Sequence, residues 1–203
     1  MSKKAPSPKL PNRLTVFRLI LAALVIIIFL FPYDMIGYNF PKYLINGIAI
    51  LDVKLVICAV LFIVASITDF LDGHIARKYN YVSNFGKLMD PIADKILTNS
   101  LLIILAGEGF IPTIISVIII SRDIVVDGVR MLLTEKGEVL PAGKLGKFKT
   151  AFLMIGITLK LVGNLPFSLW NLPIADFLII AATLLSVISG IQYFNGAKKF
   201  ITK

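Results

Sequence analysis

The chain alternates between long apolar runs and short polar segments. Uncharged stretches occupy residues 19–31, 55–68, 96–107, 161–175 and 177–197. A helix needs roughly 20 apolar residues to cross the hydrocarbon core of a bilayer. Together with the Gly, Pro and Asn residues between the runs, this pattern predicts six membrane-spanning helices. Their predicted bounds are 14–32, 44–79, 84–106, 111–134, 145–163 and 174–198.

Such a pattern leaves no length for a separate soluble domain. We expect residues 1–10, which are rich in Pro, Ser and Lys, to be a disordered basic tail, and residues 11–203 to form a single six-helix domain. The composition is 57% hydrophobic and 16% charged, against about 45–50% and about 25% in soluble domains. The predicted fold class is therefore an all-α integral membrane protein. This excludes a soluble enzyme, a nucleic-acid-binding domain and a disulfide-stapled secreted protein.

Lysine and arginine are unevenly distributed over the predicted topology. With a cytoplasmic N-terminus, 18 of the 21 basic residues fall on the cytoplasmic side, and only Lys42, Lys54 and Lys160 fall toward the outside. Cytoplasmic segments of membrane proteins are enriched in Lys and Arg. We therefore expect both termini in the cytoplasm and a location in the cytoplasmic membrane. The net charge of +9 is interpreted as this bias rather than as nucleic-acid binding.

Four aspartates lie at the polar ends of two predicted helices. Asp69 and Asp72 share one face at the end of the second helix, and Asp90 and Asp94 share one face at the start of the third. The short turn predicted at 80–84 makes these helices antiparallel neighbours, so both pairs are expected to face one point. Carboxylates inside or at the edge of membrane helices are energetically unfavourable, and they usually have a function. Hard divalent cations are their natural compensation, and two such ions would neutralise a pyrophosphate.

Small residues and one arginine lie between the two acidic pairs. Gly73, Ala76 and Gly86 let a bulky ligand approach the backbone. Arg77 offers a bidentate fork for a phosphate. The structural alternative is that the small residues only pack helices and the aspartates only cap them. Helix capping explains one aspartate at each helix end. It does not explain a pair of aspartates on each of two facing helix surfaces.

These positions together resemble the signature of the CDP-alcohol phosphotransferase family. The pattern in this chain is Asp69-x2-Asp72-Gly73-x2-Ala76-Arg77-x8-Gly86-x3-Asp90-x3-Asp94. The resemblance implies six transmembrane helices, a homodimer and a polar cavity that opens to the cytoplasm. It also implies transfer of a phosphatidyl or similar group from a CDP-linked donor to an alcohol, with release of CMP.

The resemblance also implies a role for each motif position. Asp69, Asp72, Asp90 and Asp94 would bind two divalent cations, Mg²⁺ or Mn²⁺, and Asp94 would in addition be the general base. The residues expected to contact the CDP moiety are Gly73, Ala76, Arg77, Ser83 and Gly86.

Three further segments resemble the phosphatidylglycerophosphate synthase branch of the family. They are Leu10-Pro-Asn-Arg-Leu-Thr15-x2-Arg18, Ser121-Arg122-Asp123-x6-Arg130 and Gly146-Lys147-Phe148-Lys149-Thr150. Arg122, Lys147 and Lys149 are predicted to bind the phosphate of a glycerol 3-phosphate acceptor. Two plainer interpretations stay open: Arg122 pairs with Asp123 or Asp127, and the two lysines only follow the cytoplasmic charge bias.

The resulting hypothesis is a membrane transferase that uses CDP-diacylglycerol and glycerol 3-phosphate to make phosphatidylglycerophosphate and CMP. The nearest alternative keeps the chemistry and changes the acceptor to phosphatidylglycerol, inositol phosphate or serine. A remote alternative is a divalent-cation transporter, because intramembrane carboxylates also mark ion pathways. Two other features are predicted to be structural: His74 as a headgroup-level side chain, and the stripe Ala182, Ser186 and Gly190 as a close helix contact.

Overall fold

In the computed structural model the chain is almost entirely helical. The structure describes residues 10–45, 47, 49–79, 84–135, 137–138 and 143–201. Within these ranges there are six α-helices, as predicted. They are α1 (Leu10–Leu30), α2 (Val53–Tyr79), α3 (Asn84–Gly107), α4 (Thr113–Glu135), α5 (Lys144–Leu161) and α6 (Ile174–Ile201).

The predicted start of the second helix near residue 44 is wrong. Residues on either side of Gly47 form an antiparallel hairpin of β1 (Lys42–Ile45) and β2 (Ala49–Asp52), with Lys42 opposite Asp52. Gly47 has φ of 70°, a left-handed conformation that glycine adopts without steric cost. The Asn-Gly pair at 46–47 is a strong hairpin signal, and the apolar residues around it concealed that signal.

The hairpin also determines where α2 begins. Asp52 Oδ1 accepts a hydrogen bond of 2.8 Å from the backbone N–H of Lys54. This is the bond by which an N-cap aspartate satisfies an otherwise unpaired amide at the start of a helix. Asp52 therefore starts α2 at Val53, and the helix is shorter than the prediction at its N-terminal end.

The first helix begins earlier than predicted, and two predicted loops contain short 3₁₀ turns. α1 starts at Leu10 instead of residue 14. The 3₁₀ turns cover Tyr33–Ile36 and Phe167–Trp170, and they end at Gly37 and Asn171 in the left-handed conformation. The remaining helix bounds agree with the predicted ones to within three residues.

Three helices of the described residues are long and apolar enough to cross a membrane. They are Leu10–Leu30, Val53–Gly73 and Ile174–Lys198. The helices α3, α4 and α5 carry more charge, including Asp90, Arg122 and Lys149. Apolar helices of this length indicate a membrane protein, and the six-span topology with cytoplasmic termini stays a prediction.

The chain divides into two compact units, each with a core of its own. The first unit comprises Met1–Leu101 and Leu161–Leu165. In it α1 packs along α2, and the buried side chains of these helices include Ala22 and Val25 on α1 and Cys58 and Phe62 on α2. Cys58 is free and fully buried, and it behaves here as a small hydrophobe.

The second unit comprises Leu102–Lys160 and Pro166–Lys203. In it α4 packs against α6, with Val129 and Leu133 buried against Ala197. A Cβ atom added to Gly156 of α5 would lie 2.7 Å from Cγ1 of Ile179 of α6. The glycine therefore lets α5 and α6 approach closely.

Candidate active site

The first unit contains a buried arginine that lies on two of the predicted carboxylates. Nη1 of Arg18 in α1 is 2.8 Å from Oδ1 of Asp69, and Nη2 donates a hydrogen bond to Oδ2 of Asp72. The side chain of Arg18 is fully buried, and that of Asp72 is 4% exposed, against 39% for Asp69. A guanidinium this deeply buried requires paired anions. α1 therefore supplies a counter-charge for the acidic pair of α2.

A second residue of α1 reaches the acidic pair of α3. The hydroxyl of Thr15, which is buried, lies 2.5 Å from Oδ1 of Asp90. The Oγ1 atom of Thr15 also lies 3.1 Å from the carbonyl oxygen of Pro11. Thr15 and Arg18 are three residues apart and so share one face of α1. Three of the four predicted site aspartates are thus held by one turn of the first helix.

Asp94, the fourth aspartate, lies one turn beyond Asp90 on α3 and is half-buried. The guanidinium of Arg18 contacts both Asp69 and Asp72, so one positive charge is shared by two carboxylates. Carboxylate oxygens are hard donors, and hard divalent cations such as Mg²⁺ and Mn²⁺ prefer them. The oxygen donors of these aspartates are therefore of the chemical type that binds such ions.

The described residues do not already form a closed metal-ligand group. Among them, no three His, Cys, Asp or Glu side chains are gathered in a way that would hold a metal ion. Asp69, Asp72 and Asp90 are instead held by contacts with Arg18 and Thr15. Cation binding at these aspartates would therefore involve a change of side-chain arrangement.

The residues predicted to contact CDP are only partly described. Gly73 of α2 is half-buried and Gly86 of α3 is buried. Ser83 lies outside the described residues, as do the side chains of His74, Ala76 and Arg77. Gly73 and Gly86 belong to the same unit as the four aspartates.

In the second unit, two of the three predicted acceptor cations meet at one carboxylate. Nζ of Lys149 lies 2.8 Å and 2.6 Å from the two carboxylate oxygens of Asp123. Nη1 of Arg122 lies 2.8 Å from Oδ1 of the same side chain. The plainer interpretation that Arg122 pairs with Asp123 is therefore confirmed. Arg122 and Lys149 thus share the carboxylate of Asp123.

Lys147 lies apart from this cluster. It is exposed and stands two residues before Lys149 on α5, and residues two apart on a helix face different sides. The structure therefore brings Arg122 and Lys149 together and leaves Lys147 on another face.

Ser189 and Gly190 of α6 lie against the side chain of Arg122. Nη2 of Arg122 donates a 2.8 Å hydrogen bond to Oγ of Ser189. A Cβ atom on Gly190 would lie 3.0 Å from Cγ and 3.1 Å from Nε of Arg122, closer than nearly all real contacts of that kind. At Gly190 the small-residue stripe of α6 therefore makes a close contact with α4 of the same chain.

Sequence reasoning did not assign roles to Thr15, Arg18, Asp123 or Ser189. A signal was present for Arg18, because a charged residue in an apolar helix needs a partner. Asp123 had a signal as well, since it is adjacent to Arg122. Thr15 belongs to the first segment that resembles the family branch, whereas we find no signal for Ser189, because hydroxyls are common in membrane helices.

The long apolar helices indicate a membrane protein, and its two units carry an acidic and a basic cluster. A family model described as CDP-alcohol phosphatidyltransferase matches residues 8–188, and the chain belongs to that family. It is similar to the CDP-diacylglycerol–glycerol-3-phosphate 3-phosphatidyltransferase of Bacillus subtilis (strain 168), with 41% identity over 92% of this chain and 93% of that protein.

Two further relatives carry the same name. The protein of Mycoplasma pneumoniae (strain ATCC 29342 / M129 / Subtype 1) is 43% identical over 75% of this chain and 67% of its own length. That of Rickettsia felis (strain ATCC VR-1525 / URRWXCal2) is 34% identical over 94% of this chain and 96% of its own length. The similarity therefore extends over both compact units.

Proposed function

We propose that this chain transfers the phosphatidyl group of CDP-diacylglycerol to glycerol 3-phosphate, giving phosphatidylglycerophosphate and CMP. The observation that carries the proposal is the carboxylate cluster around Arg18 and Thr15, which contains three aspartates of the family motif. The printed name of the relatives supports the choice of donor and acceptor. Membership of this family favours the transferase over a cation transporter.

The four aspartates would hold two divalent cations, Mg²⁺ or Mn²⁺. When bound, such ions would neutralise charge on the donor pyrophosphate and on the departing CMP. The residues proposed to contact the CDP moiety are Gly73, Ala76, Arg77, Ser83 and Gly86. Arg77 supplies the planar fork that suits a phosphate, and the glycines allow close approach of the backbone.

Asp94 is the proposed general base. Its carboxylate takes the proton from the primary hydroxyl of the acceptor, and the oxygen attacks the phosphorus atom that carries diacylglycerol. A new oxygen–phosphorus bond forms while the bond from that phosphorus to the bridging oxygen of the pyrophosphate breaks. CMP leaves with the electron pair of that bond.

Arg122, Lys149 and Lys147 are proposed to bind the phosphate of glycerol 3-phosphate. Arg122 and Lys149 are held side by side by their contacts with Asp123. Two adjacent cationic side chains suit a phosphate dianion. Asp123 keeps the two cations together, and Lys147 would contribute from its exposed position.

The proposed setting is the cytoplasmic membrane, with six membrane-spanning helices, cytoplasmic termini, a polar cavity open to the cytoplasm and a homodimeric state. The three long apolar helices support the membrane setting, and the excess of basic residues on one side of the predicted topology supports the orientation. The homodimer rests on the family resemblance alone. Mass measurement of the protein in lipid nanodiscs tests it.

A product assay tests the proposed function. Purified protein is incubated with CDP-diacylglycerol, Mg²⁺ or Mn²⁺, and one acceptor at a time: glycerol 3-phosphate, glycerol, inositol phosphate, serine or phosphatidylglycerol. We expect CMP release and a phosphatidylglycerophosphate product with glycerol 3-phosphate. Faster turnover with another acceptor would overturn the acceptor assignment and leave the family chemistry intact. If no acceptor gave CMP release, the proposed transferase activity would be wrong.

Replacing Arg122 with Ala is expected to raise the KM for glycerol 3-phosphate about 10–150-fold, because a charged hydrogen bond to phosphate contributes about 1.5–3 kcal/mol. The KM for CDP-diacylglycerol is expected to change much less. Initial rates at varied concentrations of each substrate provide the measurement. Lys160→Ala is a matched control, since Lys160 is also 18% exposed and pairs with an aspartate, Asp176, at 2.6 Å. Equal losses for both substrates would contradict a specific phosphate contact.

A further inference from the structure

Two side chains of α1 contact three of the proposed cation ligands. Thr15 and Arg18 are buried, and they reach Asp90 of α3 and the Asp69–Asp72 pair of α2. We propose that Thr15 and Arg18 are positioning residues, which hold one oxygen of each of these carboxylates and so limit the rearrangement that divalent cations require. This inference rests on the cation site of the proposed function and assigns a role to residues of the first helix.

Each of these contacts involves one oxygen of a carboxylate. Thr15 contacts Oδ1 of Asp90, and Arg18 contacts Oδ1 of Asp69 and Oδ2 of Asp72. A carboxylate has two oxygens and about four lone-pair sites. A hydrogen bond at one oxygen therefore orients the group and still permits a cation at the other. Outer partners of this kind orient metal ligands in many proteins.

The guanidinium of Arg18 also sets the spacing of the α2 pair. Its two terminal nitrogens contact different carboxylates, and their separation is fixed by a rigid planar group. Lysine carries one compact charge on a flexible stem and lacks this fork. The charge of Arg18 further lowers the repulsion between Asp69 and Asp72 before any cation is present.

The spacing within α1 couples the two acidic pairs to each other. Thr15 and Arg18 are one helical turn apart and lie on the same face, yet one contacts α3 and the other contacts α2. A single turn of α1 therefore determines where the carboxylates of both helices stand. Part of the cost of arranging the ligands is therefore met on folding, before a cation binds.

The test measures binding of Mn²⁺ alone to the purified full-length protein, by the electron paramagnetic resonance signal of unbound Mn²⁺. Thr15→Val removes the hydroxyl at nearly constant shape, and we expect Mn²⁺ binding about 10–100-fold weaker, the usual effect of losing an outer partner. Thr15→Ser is expected to restore binding. Raising the Mn²⁺ concentration is expected to recover the turnover of Thr15→Val, which a collapsed site would not allow.

A control and a second variant make the result specific. Thr183 of α6 is also buried, and its hydroxyl donates to the carbonyl oxygen of Ile179 at 2.8 Å. Thr183→Val is expected to bind Mn²⁺ like the unmodified protein. Arg18→Lys keeps the charge and removes the fork, and it is expected to weaken Mn²⁺ binding to a similar degree as Thr15→Val. It also serves as the independent variant if Thr15→Val does not fold.

The outcomes separate this inference from the proposed function. Mn²⁺ binding by the unmodified protein, with unchanged affinity in Thr15→Val and Arg18→Lys, would overturn the positioning role and leave the cation site in place. Absence of Mn²⁺ binding in the unmodified protein would overturn the cation site and the positioning role together. Weaker binding in both variants, with Thr183→Val unchanged and Thr15→Ser restored, supports the inference.

Discussion

Replacing Asp69 with Asn is expected to lower CMP release by about 10³-fold or more. The variant removes one proposed cation ligand, and the charge stabilisation supplied by bound cations amounts to several kcal/mol, of which about 4 kcal/mol corresponds to 10³-fold in rate. Asp72→Asn, Asp90→Asn and treatment with a chelator are expected to have the same effect. The measurement is the initial rate of CMP release from CDP-diacylglycerol at saturating glycerol 3-phosphate.

Asp69 is the most informative of these positions because its side chain is 39% exposed. Asp72 is buried against Arg18, so Asp72→Asn also leaves a buried guanidinium with fewer counter-charges, a change that destabilises a protein by about 3–5 kcal/mol. Thermal unfolding of each variant separates loss of ligand from loss of fold. Asp176→Asn, at an acidic residue in the second unit, provides the control. Undiminished activity after complete chelation would contradict the two-cation proposal.

Replacing Asp94 with Asn is expected to lower turnover about 10²–10⁴-fold, the usual contribution of a general base. The amide keeps the shape of the side chain and one ligand oxygen, but it does not accept a proton. Binding of CDP-diacylglycerol is expected to fall only modestly, because the other three aspartates remain. Single-turnover release of CMP gives the rate, and titration calorimetry gives the affinity for the donor.

This pair of measurements distinguishes the two roles proposed for Asp94. Complete loss of donor binding in Asp94→Asn would show that the residue is chiefly a cation ligand, and the base would then have to be another group. Turnover close to that of the unmodified protein would exclude both roles. Asp69→Asn, measured alongside, provides the pattern expected of a ligand that is not a base.

Most helix bounds could be predicted because they depend on local chemistry. Apolar runs bounded by Gly, Pro and Asn define α3 to α6 to within a few residues. The wrong prediction for the start of α2 also had a local cause. Apolar residues at 44–51 continue the pattern of the helix that follows, whereas the turn at Gly47 and the cap at Asp52 separate them from it.

The candidate site could be predicted only as far as spacing along one helix determines it. Asp69 with Asp72, and Asp90 with Asp94, share faces because three or four residues make one helical turn. Arg122 and Lys149 were selected instead by the resemblance of their segments to one branch of the family. It did not show that both contact Asp123, since the bond from Lys149 joins residues 26 positions apart.

The sequence by itself determined the class of protein, the order of the helices and the residue types of the acidic and basic clusters. Only the tertiary structure decided that α1 holds the acidic cluster and that Gly190 admits the side chain of Arg122. Arg18 and Asp72 are 54 positions apart, and Thr15 and Asp90 are 75 apart. The physical reason is that periodicity defines which face of a helix a residue occupies, whereas the identity of the neighbouring helix depends on how side chains of all helices pack.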